Sequence, residues 1–511
     1  MLQIHNLHLS MRRDLRELVR DLSLSLNPGD RVAVIGEEGN GKSTLLKLIY
    51  DPAMVEDYAE WSGTVQLDGM TLGYLPQEVS ADDLEKTIYA FCCEEPAFLD
   101  ASPKELAAAA AQVGVPTDLF YSDRAVGTLS GGEKVKLRMA LLTLRRPGCF
   151  LLDEPSNDLD IPTLEWLEGF IRSAPAPVLY ISHDETLLEN TANGILHLEL
   201  LRRKTLPRWT FARMGYRQYV DERLSKFARQ TQIANKEREE EKKQLERFRQ
   251  IYQKVEHQQN TISRGDPHGG RLLKKKMKSV KAMEHRLERE REDFTELPDT
   301  EDAILASFSP EVTIPAGKTV VDFSLPLLEA EPGHVLARGL HLAVRGPEHL
   351  CITGRNGAGK TSFLRALAKE LLPRTDIKAA YMPQNYAETV DQTLTPVDFL
   401  AESAEKAELT RVKTYLGSMK YTPEECGHSI AELSGGQRAK LFFLKMILSG
   451  SNVLLLDEPT RNFSPLSGPV IRGILQDFGG CIISVSHDRK YIAEVCPTRY
   501  ELTEEGLNIC S

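Results

Sequence analysis

The chain contains no apolar run approaching the ~18 residues that a membrane-crossing helix requires, so no helical membrane domain is expected from it. Its eight cysteines are scattered, with no C-x-x-C pair, and no zinc site can be assembled from such spacings. Cys149, Cys351 and Cys481 lie in or beside apolar, strand-like runs, where cysteine behaves as a small hydrophobe. That usage fits a reduced, cytoplasmic compartment better than secretion. The first residues, "MLQIHNLHLSMRRDL", offer no signal-peptide apolar core and alternate apolar with polar side chains like a first β-strand. Proline and glycine are absent altogether between Tyr216 and Gly265, a gap that leaves room for one very long helix.

At 511 residues, with 41% hydrophobic and 27% charged side chains, the chain is too long for one ordinary core and suggests two or three domains. Its formal charge of −11 is unevenly spread. Residues 201–300 carry 26 Lys or Arg against 16 Asp or Glu, leaving −21 for the remainder. A positive middle segment between two acidic flanks points to an anionic partner.

The flanks repeat one another. "GEEGNGKS" (Gly36–Ser43) follows the apolar run "RVAVI", and "GRNGAGKT" (Gly354–Thr361) follows "HLCIT"; each precedes an apolar helical stretch. Both satisfy G-x-x-x-x-G-K-[ST] in the strand–loop–helix context that a phosphate-binding loop requires. Backbone N–H groups of Gly36, Gly39, Asn40, Gly41 and Thr44, and of Gly354, Asn356, Gly357 and Gly359, would surround the phosphates. Lys42 and Lys360 would reach the β- and γ-phosphates, with Ser43 and Thr361 as Mg²⁺ ligands. Four further elements follow in the same order, twice: "YLPQ" and "YMPQ" (Gln77, Gln384), "LSGGE" and "LSGGQ", "LLDEP" in both, and "ISHD" and "VSHD". The P-loop lysines stand 318 residues apart and the glutamines 307, whereas the signatures, the Asp-Glu pairs and the histidines are each 304 apart. A constant offset through three motifs means two copies of one domain.

These motifs resemble those of the ATP-binding-cassette superfamily, and the resemblance covers both halves. Two cassettes without membrane spans, joined by a long charged helical segment, resemble the ABC-F family of translation-associated ATPases. The fold implied is α/β: two P-loop cassettes at 1–205 and 306–511, joined by a long antiparallel α-helical hairpin at 206–305. In that superfamily the cassettes stack head to tail, so the resemblance implies a monomer whose cassettes pair within one chain. ATP would then lie between each P-loop and the opposite signature, Ser434–Gly435–Gly436 for the first site and Ser130–Gly131–Gly132 for the second. Phosphoryl transfer needs positioning and charge neutralisation more than covalent help. Asp153 and Asp457, with Gln77 and Gln384, suit the Mg²⁺ shell, and Glu154 and Glu458 would polarise the attacking water to give ADP and phosphate. His183 and His487 would sense the γ-phosphate. One departure stands out: after the second Asp-Glu pair, Ser464 replaces the acid that Asp160 supplies in the first dimer-contact loop, so equal turnover at the two sites is not expected.

The middle segment reads as a helix of some 45 residues from about Tyr216. A turn at "SRGDPHGG" follows, then a second helix from about Arg271 to Phe294. Leu245, Phe248, Tyr252, Val255 and Ile262 keep coiled-coil spacing, and Leu273, Met277, Val280, Leu287 and Phe294 supply a matching seam. The tip, near 260–281, holds Arg264, Arg271, Lys274, Lys275, Lys276 and Lys278 with few acids nearby. These residues would contact RNA phosphates, with strong salt dependence and little sequence reading. By resemblance, this hairpin enters the tRNA exit site of the bacterial 70S ribosome, against rRNA and the peptidyl tRNA. Only 52 and 49 residues separate each glutamine from the following signature, too few for an added arm. A transporter subunit would leave the hairpin unexplained. The arm's absence, the hairpin and the loop "TRNFSPLS" resemble the subgroup that protects ribosomes from lincosamides, pleuromutilins and streptogramin A. A general ABC-F translation factor without drug protection is the alternative.

Overall fold

Strand-forming sequence falls into two blocks of one design. The computed structural model describes residues 1–261, 267–292, 307–330, 335–386 and 389–510. In the first block the sheet order is Leu72–Leu75, Cys149–Asp153, Val178–Ile181, Arg31–Ile35, Gly194–Leu200 and Leu206–Ala212. The first five strands run parallel and the last antiparallel. The second block repeats this with Ala379–Met382, Val453–Asp457, Cys481–Val485, His349–Thr353, Thr498–Thr503 and Gly506–Cys510. "CFLLD", "VLLLD" and "CIISV" are buried at every position, as a parallel sheet covered on both faces demands. Cys149, Cys351 and Cys481 sit fully buried within these strands, and burial pushes the Cys149 and Cys481 thiols up to about 12.

Each sheet is backed by an antiparallel one. Leu2–Met11 lies between Glu17–Leu26 and Ala59–Gln66, while Thr319–Glu329 pairs with Val335–Arg345. Each P-loop leaves the carboxyl end of the strand at the middle of its sheet, the edge at which α/β sheets bind ligands. No described helix is long and apolar enough to cross a membrane.

The chain divides into two compact units: Met1–Tyr216 with Glu301–Ser511, and Arg217–Thr300. Residues 206–212, expected in the linker, form the antiparallel edge strand of the first sheet. Its ladder to Gly194–Leu200 and the packing of Trp209 and Phe211 against the first cassette's core keep the segment with that sheet.

The second unit is helical. Its first helix, Tyr216–Thr261, has 46 residues, about 70 Å at 1.5 Å per residue. Its second is Pro267–Glu292. It starts four residues before the expected Arg271, because Pro267 is pre-shaped for the first helical position and His268–Gly270 continue the helix instead of the turn. Ala234 and Val255 are buried, and Leu245, Phe248 and Tyr252 half-buried, on a helix otherwise largely exposed; Val280, Leu273 and Met277 are withdrawn likewise on the second. Ile262, Arg264 and Phe294, and the side chain of Leu287, lie outside the described residues.

Candidate active site

The P-loops close on themselves through their lysines. Lys42 Nζ donates to the carbonyls of Gly36 (2.8 Å) and Glu37 (2.9 Å). Lys360 Nζ does the same to Gly354 and Arg355, both at 2.9 Å. Gly41 and Gly359 cap the following helices at φ 83° and 92° with no side-chain cap. Left-handed backbone there favours glycine, and the helix N–H groups stay available to an anion. A Cβ at Gly36 would stand 2.2 Å from the carbonyl oxygen of Leu198, so the loop is pressed against the neighbouring strand. Asn40 serves that packing too, its amide donating to the same carbonyl at 3.0 Å; its side chain is not turned to the phosphate side. Thr44 is half-buried in the first helical turn.

The Asp-Glu pairs end the buried strands beside these loops. Ser43 Oγ donates to Asp153 Oδ1 at 2.8 Å, and Thr361 Oγ1 to Asp457 Oδ1 at 3.3 Å. Asp457 Oδ2 is buried without a hydrogen-bond partner. A hydroxyl beside such a carboxylate is a hard-oxygen donor pair, and Mg²⁺ takes one or two carboxylates plus substrate phosphates; these residues fit that ion. Glu154 and Glu458 both adopt left-handed backbone, φ 49° and 51°, a conformation rare outside glycine that concentrates at functional positions.

Around those two glutamates the sites differ. Glu154 receives Gln77 Nε2 (3.0 Å) and Asn157 Nδ2 (2.5 Å), and His183 Nε2 lies 3.4 Å away. Burial opposes its charge, but His183, Lys42 and Asn157 bring its pKa down to about 2. Among the described residues, Glu458 receives Ser486 Oγ and the backbone N–H of His487, each at 3.3 Å, with His487 Nε2 at 3.9 Å. Burial and neighbouring Asp457 push Glu458 up to about 8. Burial, then Lys360, depress His487 to about 4. Gln384 and Arg461, the counterparts of Gln77 and Asn157, both turn to Asp158 of the other cassette, at 3.2 and 2.8 Å.

Each P-loop meets the opposite signature. Ser130 and Ser434 cap their signature helices, Gly131–Leu144 and Gly435–Ser449, with full capping boxes. Across the first site, the Glu38 carboxylate accepts from the N–H of Gly435 at 3.0 Å and from that of Gly436. A carboxylate thus displays the anion-binding capacity of this helix N-terminus. Across the second, a cleft of about 750 Å³ is lined by Ser130, Gly131, Lys360, Thr361, Gln384 and His487, a volume in the ordinary range for small ligands. Gly132 packs against Thr163. Asn356 donates to the carbonyl of Asp158, and His183 Nδ1 donates to that of Phe463 at 2.8 Å. The structure therefore sets each P-loop, with its Asp-Glu pair, glutamine and histidine, against the opposite signature helix.

Sequence reading missed what flanks those clefts. Glu185 pairs with Arg472 (2.5 Å), and the positions 304 residues away from these two, Arg489 and Glu168, pair with each other (2.5 Å). Lys490 joins Glu185 and Glu189 at 3.1 and 2.6 Å. The first cassette presents acids here and the second bases, so each contact and its repeat image carry reversed charge. The signal was available in the offset, but only once the contact was known.

In the helical unit, Arg271, Lys274, Lys275, Lys276 and Lys278 are all exposed on the second helix. Exposed cations on one helical turn after another suit a phosphate backbone.

This fold and these loops define a tandem P-loop ATPase. The family described as "ABC transporter" matches residues 19–157 and 337–461; the chain belongs to that family and hydrolyses ATP. It is 26% identical over 96% of its length to the energy-dependent translational throttle protein EttA of Escherichia coli (strain K12), spanning 90% of that protein. It is 27% identical over 94% of its length to human ATP-binding cassette sub-family F member 3, spanning 68% of it. Its fold is similar to that of the archaeal ribosome recycling factor aABCE1, solved with the ribosomal stalk protein aP1: TM-score 0.58 at 16% identity, covering 99% of this chain and 89% of that one.

Proposed function

We propose that this protein is an ABC-F ATPase that acts on the bacterial 70S ribosome at the tRNA exit site. In this reading it protects the peptidyl-transferase centre from lincosamide, pleuromutilin and streptogramin A antibiotics. The observation that carries the ribosomal part is the insertion, between two complete cassettes, of a helical unit with six described, exposed Lys or Arg residues on its second helix. Similarity to a translational throttle protein supports the same partner. ATP binds across both composite clefts; Lys42 and Lys360 hold its phosphates, and the signature N–H groups close over the γ-phosphate. Ser43 with Asp153, and Thr361 with Asp457, would hold Mg²⁺, which would supply neutralisation of the phosphate charge. Gln77 and His183 orient Glu154, which draws a proton from the attacking water; Glu458 stands at the same position in the second site, where only its ionised form can take that proton. Hydrolysis opens the clefts and releases the ribosome.

A second reading, a translation factor without drug protection, draws on the same similarity to EttA. Cell-free bacterial translation stalled by lincomycin or tiamulin separates the two. Rescue by the intact protein, lost when residues 263–276 become a Gly-Ser turn, supports protection. No rescue across a drug panel by protein active as an ATPase rejects it and leaves the factor reading. Failure of the Glu154→Gln/Glu458→Gln protein to co-sediment with ribosomes in ATP would reject both.

A further inference from the structure

The first P-loop differs from the second in charge. At the 318-residue offset of the two lysines, Glu37 stands where the second loop has Arg355, and Glu38 where it has Asn356. The dimer-contact loops differ in the same sense, the first carrying Asp160 where the second has Ser464. These two departures meet in space.

In the first cassette Asp160 caps the helix Ile161–Ser173, accepting from Thr163 N at 3.1 Å and Thr163 Oγ1 at 2.5 Å. Ser464 keeps the backbone half of that arrangement, its Oγ accepting from Ser467 N at 3.3 Å, but brings no carboxylate. The corresponding helix begins only at Gly468, and its N-cap, Ser467, makes no side-chain cap bond. A carboxylate arrives there from across the interface instead. Glu37 Oε1 accepts from Ser467 Oγ at 2.9 Å, and Glu37 Oε2 pairs with Lys440 Nζ at 2.9 Å. Ser464 Oγ joins the group through Ser467 Oγ at 3.2 Å. Glu37, Lys440, Ser464 and Ser467 are all buried. Lys136, the repeat image of Lys440, instead stands over the Trp166 ring at 5.4 Å. Burial raises the Glu37 carboxyl, but Lys440 and the hydroxyls outweigh it and hold the group below the usual carboxylate range. A charge so placed survives only because it is paired.

We propose that Glu37 is a positioning residue of the first ATP site: from its own P-loop it supplies, in trans, the carboxylate that the opposite dimer-contact loop lacks at Ser464. Through Lys440 it fixes the second signature helix, and through Ser467 the start of the helix after that loop. Both are thereby set against the P-loop that holds the phosphates. The second site gets its carboxylate within the first cassette, from Asp160, and has no such tie from Arg355. This inference rests on the reading that ATP is hydrolysed between the first P-loop and the second signature.

The experiment uses the full chain carrying Glu458→Gln, so that turnover reports the first site. The Glu154→Gln/Glu458→Gln protein is run first. If it still turns over ATP at the unmodified rate, the assignment of the sites fails, whatever Glu37 does. With that control inactive, Glu37→Gln should lower kcat by about tenfold or more with a smaller change in KM, since it breaks a buried pair. Adding Ser464→Asp should bring kcat back to within about threefold, because the lost carboxylate returns beside Ser467 and the two changes are coupled. Ser464→Asp alone opposes two buried carboxylates and should itself lower kcat. The proposal is overturned if Glu37→Gln leaves kcat unchanged, or if Ser464→Asp deepens the loss it should reverse. Should Glu37→Gln not fold, Glu37→Met with Lys440→Met removes both charges and leaves no ion unpaired. Undiminished kcat in that folded pair overturns the proposal, and a loss of tenfold or more supports it.

Discussion

The two ATP clefts are copies of one design whose polar contacts have been redistributed. In the first, Gln77, Asn157 and His183 converge on Glu154, and His183, Lys42 and Asn157 hold its pKa low. In the second, Gln384 and Arg461 are drawn to Asp158 of the other cassette, and Glu458, left among buried neighbours, rises to about 8. The same exchange occurs at the buried contacts beside the clefts, where the first cassette contributes acids and the second bases; farther out, Lys204–Glu425 and Arg13–Glu432 run the other way. Duplication gave both sites the same central strands, P-loop folds and capped signature helices. Charge at a handful of positions then made them unequal and made the first cassette complementary to the second, not to itself. A pairing of like with like would set Glu185 and Glu168, or Arg472 and Arg489, against each other, and like charges at such sites are strongly unfavourable.

The comparison can be broken most severely at the glutamates. Removing a positioned general base costs about 10²–10⁴ in rate, so Glu154→Gln with Glu458→Gln should abolish steady-state ATP turnover. The single substitutions should leave unequal residual rates; equal halves would mean the clefts are equivalent in spite of their contacts. The interface comes next. Arg472→Glu should lower the melting temperature by an amount corresponding to roughly 3–5 kcal/mol, the cost of breaking a buried ion pair. Adding Glu185→Arg should recover part of it, less than fully because Lys490 also binds Glu185. A double variant no better than the single would show that charge does not specify this contact.

Smaller effects sharpen the picture. Replacing Lys274, Lys275, Lys276 and Lys278 by Gln should flatten the salt dependence of ribosome binding by about three in log–log slope, given roughly 0.7–0.9 per lost phosphate contact. ATP turnover without ribosomes should not change. Smallest of all, Glu133→Ala and Gln437→Ala open the two signature capping boxes and should each cost about 1 kcal/mol by thermal melts. A much larger loss at one of them would show that one signature helix depends on its cap more than the other.

Much of this was legible in the sequence because the chain states it twice. A P-loop and a glutamine in the same order, then a signature, an Asp-Glu pair and a histidine at one constant offset, locate strands, loops and helix starts. The long helix from Tyr216 was legible from its lack of Pro and Gly. Its partner was placed four residues late because Gly269 and Gly270 read as a turn, while Pro267 in fact opens a helix. The contacts across the clefts were not legible. Glu37 and Lys440 are 403 residues apart, and no motif assigns a role to the variable positions of a P-loop. Ser464 was noticed as a missing acid, but that the acid comes from Glu37 depends on packing between elements that sequence periodicity does not describe.

The most direct test of the central claim, two composite and unequal ATP sites, is equilibrium titration of the Glu154→Gln/Glu458→Gln protein with labelled ATP and Mg²⁺. The account predicts two nucleotides bound per chain with two distinct affinities, and Ser434→Arg and Ser130→Arg each removing a different one. A single nucleotide, or two bound with one shared affinity, would contradict it.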